Sequence, residues 1–189
     1  MFIHAYRRAA PAVLGAGLFL GIALAAQAAP PNTLYVGGGF SSPHFQDPVN
    51  GISGSGTGLG GKLFVGYRLT RNFELETGAV DLGHIDDSSG KVYGHGQYLD
   101  AIGLLPISEQ WSLLGSFGVA HVALHTSTLV NNVSTVANDS GTGPKLGLGF
   151  EFAVANNVGF RAEFERYKPP VFGARPAIDQ GTLSVSMDF

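Results

Sequence analysis

The chain has 189 residues, enough for one domain of ordinary size, with no cysteine, 28 glycines and only 13% charged residues. A disulfide framework and thiolate-built zinc sites are therefore excluded. With 11 basic and 14 acidic residues the formal charge is −3, which argues against a basic nucleic-acid surface, while a mean hydropathy of +0.17 is high for a soluble protein.

Residues 1–28 read as a secretory signal peptide. His4, Arg7 and Arg8 form a short positive region, Ala9 to Ala26 is a run of apolar or small residues, and Ala26-Gln27-Ala28 is a small-x-small cleavage site before Pro30-Pro31. A single membrane helix is the competing reading of a run of about 18 residues. Cleavage after Ala28 leaves nine basic against 14 acidic residues, a mature formal charge of −5. Residues 29–189 then form the second unit, in which no other stretch is long and apolar enough for a membrane helix.

Eight short segments with a period of two follow in chain order. The first, Leu34 to Phe40, is rich in glycine, and its Tyr35 could face either way. The second sets Leu63, Val65, Tyr67 and Leu69 opposite Lys62, Gly66 and Arg68; the third sets Phe73, Leu75 and Thr77 opposite Glu74 and Glu76. In the fourth, Tyr98 to Leu105, the alternation blurs because Ile102 and Leu104 share the parity of Asp100. The fifth alternates Trp111, Leu113, Phe117 and Val119 with Ser112, Ser116 and Ala120. The sixth alternates Leu146, Leu148, Phe150 and Phe152 with Lys145, Gly147, Gly149 and Glu151. The seventh alternates Phe160, Ala162 and Phe164 with Arg161, Glu163 and Glu165. The eighth keeps Leu183, Val185, Met187 and Phe189 on one face and Thr182, Ser184, Ser186 and Asp188 on the other. Such alternation is the signature of strands with one apolar face.

The connections Thr70-Arg71-Asn72, Pro106 to Gln110 and Ala155-Asn156-Asn157 are tight, whereas 41–57, 84–91, 124–141 and 168–180 are expected to be long loops. Short and long links that alternate predict an eight-stranded antiparallel up-and-down β-barrel, with the short turns at the periplasmic end if it spans a membrane. A soluble barrel turns its apolar face inward and a membrane barrel turns it to lipid. Tyr67, Phe73, Trp111, Phe152 and Phe160 sit at strand ends beside short turns, the pattern of an interfacial aromatic girdle rather than of a soluble core. Together with the signal peptide and the terminal Phe189, this predicts a transmembrane barrel in the outer membrane of a Gram-negative bacterium.

An eight-stranded barrel is only wide enough inside for side chains, so no wide pore is expected. The inward face would then carry a charge network of Lys62, Arg68, Lys145 and Arg161 with Glu74, Glu76, Glu151, Glu163 and Glu165, anchored by the two arginines, since an unpaired buried charge is costly. Asp100 and Asp188 fall on the same face.

The stretches Gly66-Tyr67-Arg68-Leu69, Asn72-Phe73-Glu74-Leu75-Glu76-Thr77-Gly78, Leu146-Gly147-Leu148-Gly149 and Arg161-Ala162-Glu163-Phe164-Glu165-Arg166-Tyr167 resemble the porin-superfamily outer-membrane β-barrel domain. That is the kind found in the transmembrane part of outer-membrane protein A (OmpA) and in small OmpX-like barrels. The resemblance covers nearly all of residues 29–189. It implies insertion by the barrel assembly machinery, with Leu183, Val185, Met187 and Phe189 as the C-terminal assembly signal, and outer-membrane lipid and lipopolysaccharide as surroundings. The sequence stops with the barrel, so a peptidoglycan-binding domain of the kind that outer-membrane protein A carries is not expected.

Little in the chain points to catalysis. On a strand, His121 and His125 share a face about 13 Å apart, too far for one metal ion. His44, His84 and His95 are expected in or near loops, and Asp86-Asp87 at a loop tip where a divalent cation could bridge to lipopolysaccharide phosphates. His125-Thr126-Ser127 has the spacing of a lipid A acyl hydrolase, but the acid that follows, Asp139, is expected in a loop. The glycine-rich stretch 51–61 lacks the Gly-Lys-Ser/Thr ending of a phosphate loop. No enzyme, metal or cofactor is expected. The leading function is a structural or surface-interaction barrel. Its loops, with His44, Phe45, Asp86, Asp87, Asn131, Asn132 and Phe172, would meet an extracellular ligand. A narrow porin-like channel is the alternative, and a lipid A-modifying enzyme a remoter one.

Overall fold

The computed structural model describes residues 31–52, 58–87, 90–130 and 133–189. The expected signal peptide, and Asn131 and Asn132, lie outside the described residues. Eight strands follow one another: β1 (Thr33–Phe45), β2 (Gly60–Thr70), β3 (Phe73–Asp87), β4 (Gly90–Pro106), β5 (Trp111–Val130), β6 (Val133–Ala155), β7 (Val158–Tyr167) and β8 (Ile178–Asp188). Each pairs antiparallel with its sequence neighbours, and β1 pairs with β8 from Tyr35–Asp188 to Phe45–Ile178, closing the barrel. Closure leaves no free edge at membrane depth, where an unpaired N–H or C=O would be expensive.

The period of two decides which side chains face in. On β2 the inward side chains are Lys62, Phe64 and Arg68, and Leu63, Val65, Tyr67 and Leu69 face out. Tyr35 points inward and is fully buried. The blurred fourth segment alternates as strictly as the others: Tyr98, Asp100, Ile102 and Leu104 all face in. Polarity fails there as a guide because Ile102 and Leu104 meet Leu114 in a small apolar cluster inside the barrel.

Two of the four expected long loops are strand. Residues 84–87 complete β3, 90 and 91 begin β4, and 124–130 and 133–141 belong to β5 and β6. His84 and His95 therefore lie on strands, and His44 and Phe45 end β1. The reason is burial: Leu82, Val92, Val122 and Leu124 turn inward at this height and share an apolar core that rewards continued pairing. Phe45, expected on display, is part of that core.

The two longer connections among the described residues fold over the barrel. Val49 and Ile52 exchange backbone hydrogen bonds of 2.9 Å, and Val171 and Ala174 exchange bonds of 3.0 Å. The central residues of both turns have positive φ: Asn50 (49°) and Gly51 (80°), then Phe172 (51°) and Gly173 (72°). This is the primed-turn geometry that suits asparagine and glycine and strains a phenylalanine. Both turns drive an apolar side chain into the core: Val49, Ile52 and Val171 are buried there, with Phe172 packed against it.

Outside, the register lines residues up in rows. Thr77, Leu99, Val119 and Pro144 face one another across β3 to β6; the next row is Ala79, Gln97, His121 and Thr142. The exterior changes from apolar to polar between these rows. At the other end Trp111, Phe152 and Phe160 stand side by side, with the Trp111 and Phe152 rings 4.8 Å apart. From Trp111 to Val119 the strand covers about 26 Å, or roughly 20 Å of height at a tilt of about 40°. That is a little less than the apolar band of about 25 Å typical of outer-membrane barrels. β5 continues eleven residues beyond Val119 to Val130, so β3 to β6 stand above the belt as a wall while β7 ends at Tyr167.

Candidate functional site

The lumen holds four cations and six buried carboxylates at the level of the apolar belt: Lys62, Arg68, Lys145 and Arg161 with Glu74, Glu76, Asp100, Glu151, Glu163 and Glu165. Arg161, on β7, is the hub. Its Nε donates to Glu151 (2.5 Å), and its terminal nitrogens donate to Glu76 (2.8 Å) and Glu74 (2.7 Å). Arg68 donates to Glu74, to Glu151 (3.3 Å) and, at the turn end, to Asp188 (3.1 Å). Lys62 reaches Glu163 (3.1 Å) and Glu165 (3.0 Å), with Glu76 at 3.4 Å; Lys145 reaches Glu165 (2.6 Å) and Asp100. The network thus joins β2, β3, β4, β6, β7 and β8 across the barrel.

Carboxylates outnumber cations, and hydroxyl donors supply part of the difference. Tyr35 reaches Glu74 (2.9 Å) and Glu76 (3.0 Å), Tyr98 donates to Glu76 (2.6 Å) and Thr182 to Glu165 (3.1 Å). The same tyrosines lie against the cations. Lys145 Nζ is 4.4 Å from the Tyr98 ring centre and 5.5 Å from that of Tyr167, and Arg161 is 4.9 Å from Tyr35. Cations over ring faces at such distances are attracted by the π-system. Tyr35, Tyr98, Tyr167 and Phe64 are interleaved with these charges and also belong to the apolar core.

These aromatics are what reading the sequence missed. Glycine is the one signal that could have found them. A Cβ on Gly66 would lie 2.1 Å from the Tyr35 ring and one on Gly37 would lie 2.3 Å from Phe64. Glycines on the inward face thus mark where a large neighbouring side chain lies flat across the strand.

The five aromatics of the expected girdle all point outward: Tyr67, Phe73, Trp111 and Phe160 are exposed and Phe152 half-exposed. Leu183, Val185, Met187 and Phe189 are likewise exposed along one side of β8 and its end.

His121 and His125 share the outward face of β5, where His121 Nδ1 is 3.0 Å from Thr142 Oγ1 and His125 Nδ1 is 2.8 Å from Asn138 Oδ1. The residue across from His125 is thus an amide rather than an acid. Asp139 lies on β6, not in a loop, and accepts the Phe172 N–H. Neither step of a Ser–His–acid relay at Ser127 is therefore supplied by Asp139. Asp86 and Asp87 end β3. Among the described residues there is no group of three or more His, Asp or Glu placed to hold a metal ion.

Above the belt, Arg166 Nε and Nη2 grip Asp179 at 2.6 and 2.7 Å, and Gln46 adds a third bond at 2.9 Å. Hydrogen bonding from Arg166 holds the Asp179 carboxyl below its ordinary range, against the opposing effect of its burial. The Ala177 N–H donates to Asp47 (2.9 Å) and the Gln46 N–H to Ala177 (2.9 Å), so the two folded-over connections are tied to each other.

Residues 14–188 match the family model described as the outer membrane protein beta-barrel domain. Outer membrane protein A of Yersinia pseudotuberculosis serotype I (strain IP32953) is 29% identical over 187 residues, which cover 90% of this chain and 52% of that protein. The chain thus spans about half the length of that relative. Among solved structures the fold is similar to Ail, the attachment invasion locus protein of Yersinia pestis, with a TM-score of 0.60 at 17% identity over 84% of this chain and 99% of that one. Ail is also known in complex with the heparin analogue sucrose octasulfate. OprG of Pseudomonas aeruginosa is similar with a TM-score of 0.60 at 12% identity, over 87% of this chain and 99% of that one. At such identities the likeness is one of fold.

Proposed function

As the chain belongs to the outer membrane protein beta-barrel domain family, we propose that it is a closed scaffold of the outer membrane that presents a wall of β-structure at the cell surface and conducts nothing. The observation that carries this reading is the doubly sealed interior. A lumen cross-linked by ion pairs at membrane depth is capped by an apolar core in which Val49, Ile52, Val122, Leu124 and Val171 meet. Water and ions entering from the turn end meet first the Arg68–Asp188 and Arg68–Glu151 pairs, then Arg161 with the Tyr35 ring against it.

In this reading residues 1–28 direct export and are removed. The barrel assembly machinery recognises the exposed side of β8, and lipid and lipopolysaccharide surround the belt. The part of the wall above the belt is the surface available to an extracellular ligand. Anionic sugars of the kind bound by Ail are a natural first probe of it. The molecule performs no catalysis and needs no cofactor.

Planar-bilayer recording tests the reading. Purified protein, checked as folded by heat-modifiable gel mobility, is expected to give no stable conductance. Steady openings from folded protein would replace the scaffold reading with that of a narrow channel.

A further inference from the structure

Four of the six histidines stand together outside the barrel, immediately above the apolar belt. The first polar row holds His121 beside Gln97, the second His95 beside Asp81, and the third His84, Tyr93 and His125. His84, His95 and His121 are exposed and His125 is half-exposed. The His95 and His125 rings stack at 5.3 Å with 18° between their planes, and His84 lies 5.7 Å from Tyr93. The three rows stand about 7, 13 and 20 Å along the strand from Val119 and Leu99, where the belt ends, or roughly 5, 10 and 15 Å of height at a tilt of about 40°. In a barrel whose belt fills the hydrocarbon core, the lower rows stand at the depth of lipid headgroups and the third just outside them.

We propose that this outward face of β3, β4 and β5 is a proton-dependent docking surface for the phosphate groups of outer-leaflet glycolipid. The inference rests on the outer-membrane reading and adds to it a lipid partner and a control by pH. Imidazole is the side chain whose ordinary titration, near pH 6.5, turns a neutral hydrogen-bonding surface into a cationic one. Two stacked rings repel once both are protonated, and a phosphate lying across them removes that repulsion. By linkage, a ligand that prefers the protonated form binds more tightly as the pH falls.

The surroundings permit this. On β3 the facing acid is Asp81, whose Oδ1 already accepts the Gly83 N–H at the bulge (2.8 Å). On β4 the neighbours are Gln97 and Tyr93, with Lys91 one row further out, opposite Asp86 in register. From β6 come only Thr142, Ser140 and Asn138, which are neutral. The partner is placed at the lipid rather than in the external solution because the patch is continuous with the belt: the same molecule can bury acyl chains against Leu99 and Val119 and set its phosphate beside His121 and His95.

The test uses the folded full chain in detergent micelles, titrated with bisphosphorylated lipid A and read as retained lipid by native mass spectrometry. Affinity is expected to be up to about tenfold tighter near pH 5.5 than near pH 7.5, the most that one linked proton of an ordinary imidazole gives over that range. Protonation of the lipid phosphate, with its second pKa near 6, works against this, so the rise has to come from the protein. The double variant H95Q/H125Q, verified as folded by heat-modifiable mobility, is expected to lose the rise, and H44Q to keep it. Dephosphorylated lipid A is expected to show no pH dependence. Equal affinity at both pH values, a full response in the folded double variant, or complete displacement by an equal concentration of inorganic phosphate would each overturn the proposal. A chain that gives no folded, heat-modifiable form would instead overturn the outer-membrane reading itself.

Discussion

Replacing Arg161 with methionine removes the cation that touches three carboxylates at once, Glu74, Glu76 and Glu151, from a side chain with no solvent exposure. Methionine fills much of the same space, so packing changes little and the electrostatic loss dominates. Breaking a buried ion pair from one side costs about 3–5 kcal/mol, because the partner is left charged and dry. Here Glu74 and Glu151 keep Arg68, and Glu76 keeps Lys62 at 3.4 Å. The loss therefore belongs at the lower end, about 3 kcal/mol, or roughly a hundredfold in the folding equilibrium. Urea unfolding of protein inserted in phosphatidylcholine vesicles, followed by Trp111 fluorescence and by gel mobility, measures it. Adding Glu74→Gln and Glu151→Gln to Arg161→Met should recover most of the loss, since the stranded charges go with the cation. A loss under about 1 kcal/mol in the single variant, or no recovery in the triple, would refute the view that Arg161 holds together acids that Arg68 and Lys62 only partly neutralise.

Gly66→Ala places a methyl group 2.1 Å from the Tyr35 ring, which two carboxylates hold in place, so stability should fall by about 1–3 kcal/mol. Tyr35→Ser in the same chain should make the alanine nearly neutral by the same unfolding assay, and a simple sum of the two losses would contradict the contact. Trp111 is the only tryptophan, so its emission reports the row it forms with Phe152 and Phe160. Lipids brominated near the headgroup should quench it more than lipids brominated at the chain end, and the opposite order would misplace the belt. Asp179 binds its proton less readily when folded than when unfolded, so its pairing with Arg166 is present above the ordinary aspartate range and lost as pH falls through the folded value. Amide hydrogen exchange at Gln46 and Ala177, corrected for the intrinsic pH effect, should then quicken in acid in the wild type but not in Asp179→Asn.

The barrel was legible because the belt-spanning parts of β2, β3, β6, β7 and β8 alternate without interruption, and a period of two allows only one choice of inward face. The same parity shows that Lys62, Arg68, Arg161 and the five glutamates point one way. It does not show which acid meets which base, because those partners lie 83 to 103 residues apart for pairs such as Arg68–Glu151 and Lys62–Glu165. Alternation misled at the top of the barrel. There β3 to β6 leave the lipid, the outward face turns polar, and the inward face turns apolar around Leu82, Val122 and Leu124. Residues such as His125, Thr126 and Asn138 then look like loop although they are strand. The turns at Asn50-Gly51 and Phe172-Gly173 were legible only in half, because a phenylalanine at positive φ breaks the rule that marks such turns.

The ion pairs of the lumen also constrain the order of assembly. Arg161 on β7 meets Glu74 and Glu76 on β3, and Lys62 on β2 meets Glu163 and Glu165 on β7, so these contacts cross the cylinder rather than run along a hairpin. They form only when the sheet has curled and β1 has found β8. A half-built sheet would carry charges into the bilayer with nothing to neutralise them, at a cost of several kcal/mol for each. Insertion of isolated hairpins one after another is therefore uphill until the last seam zips. Curling, closure and entry into the bilayer are expected to run as one concerted event, slow on account of its non-local contacts.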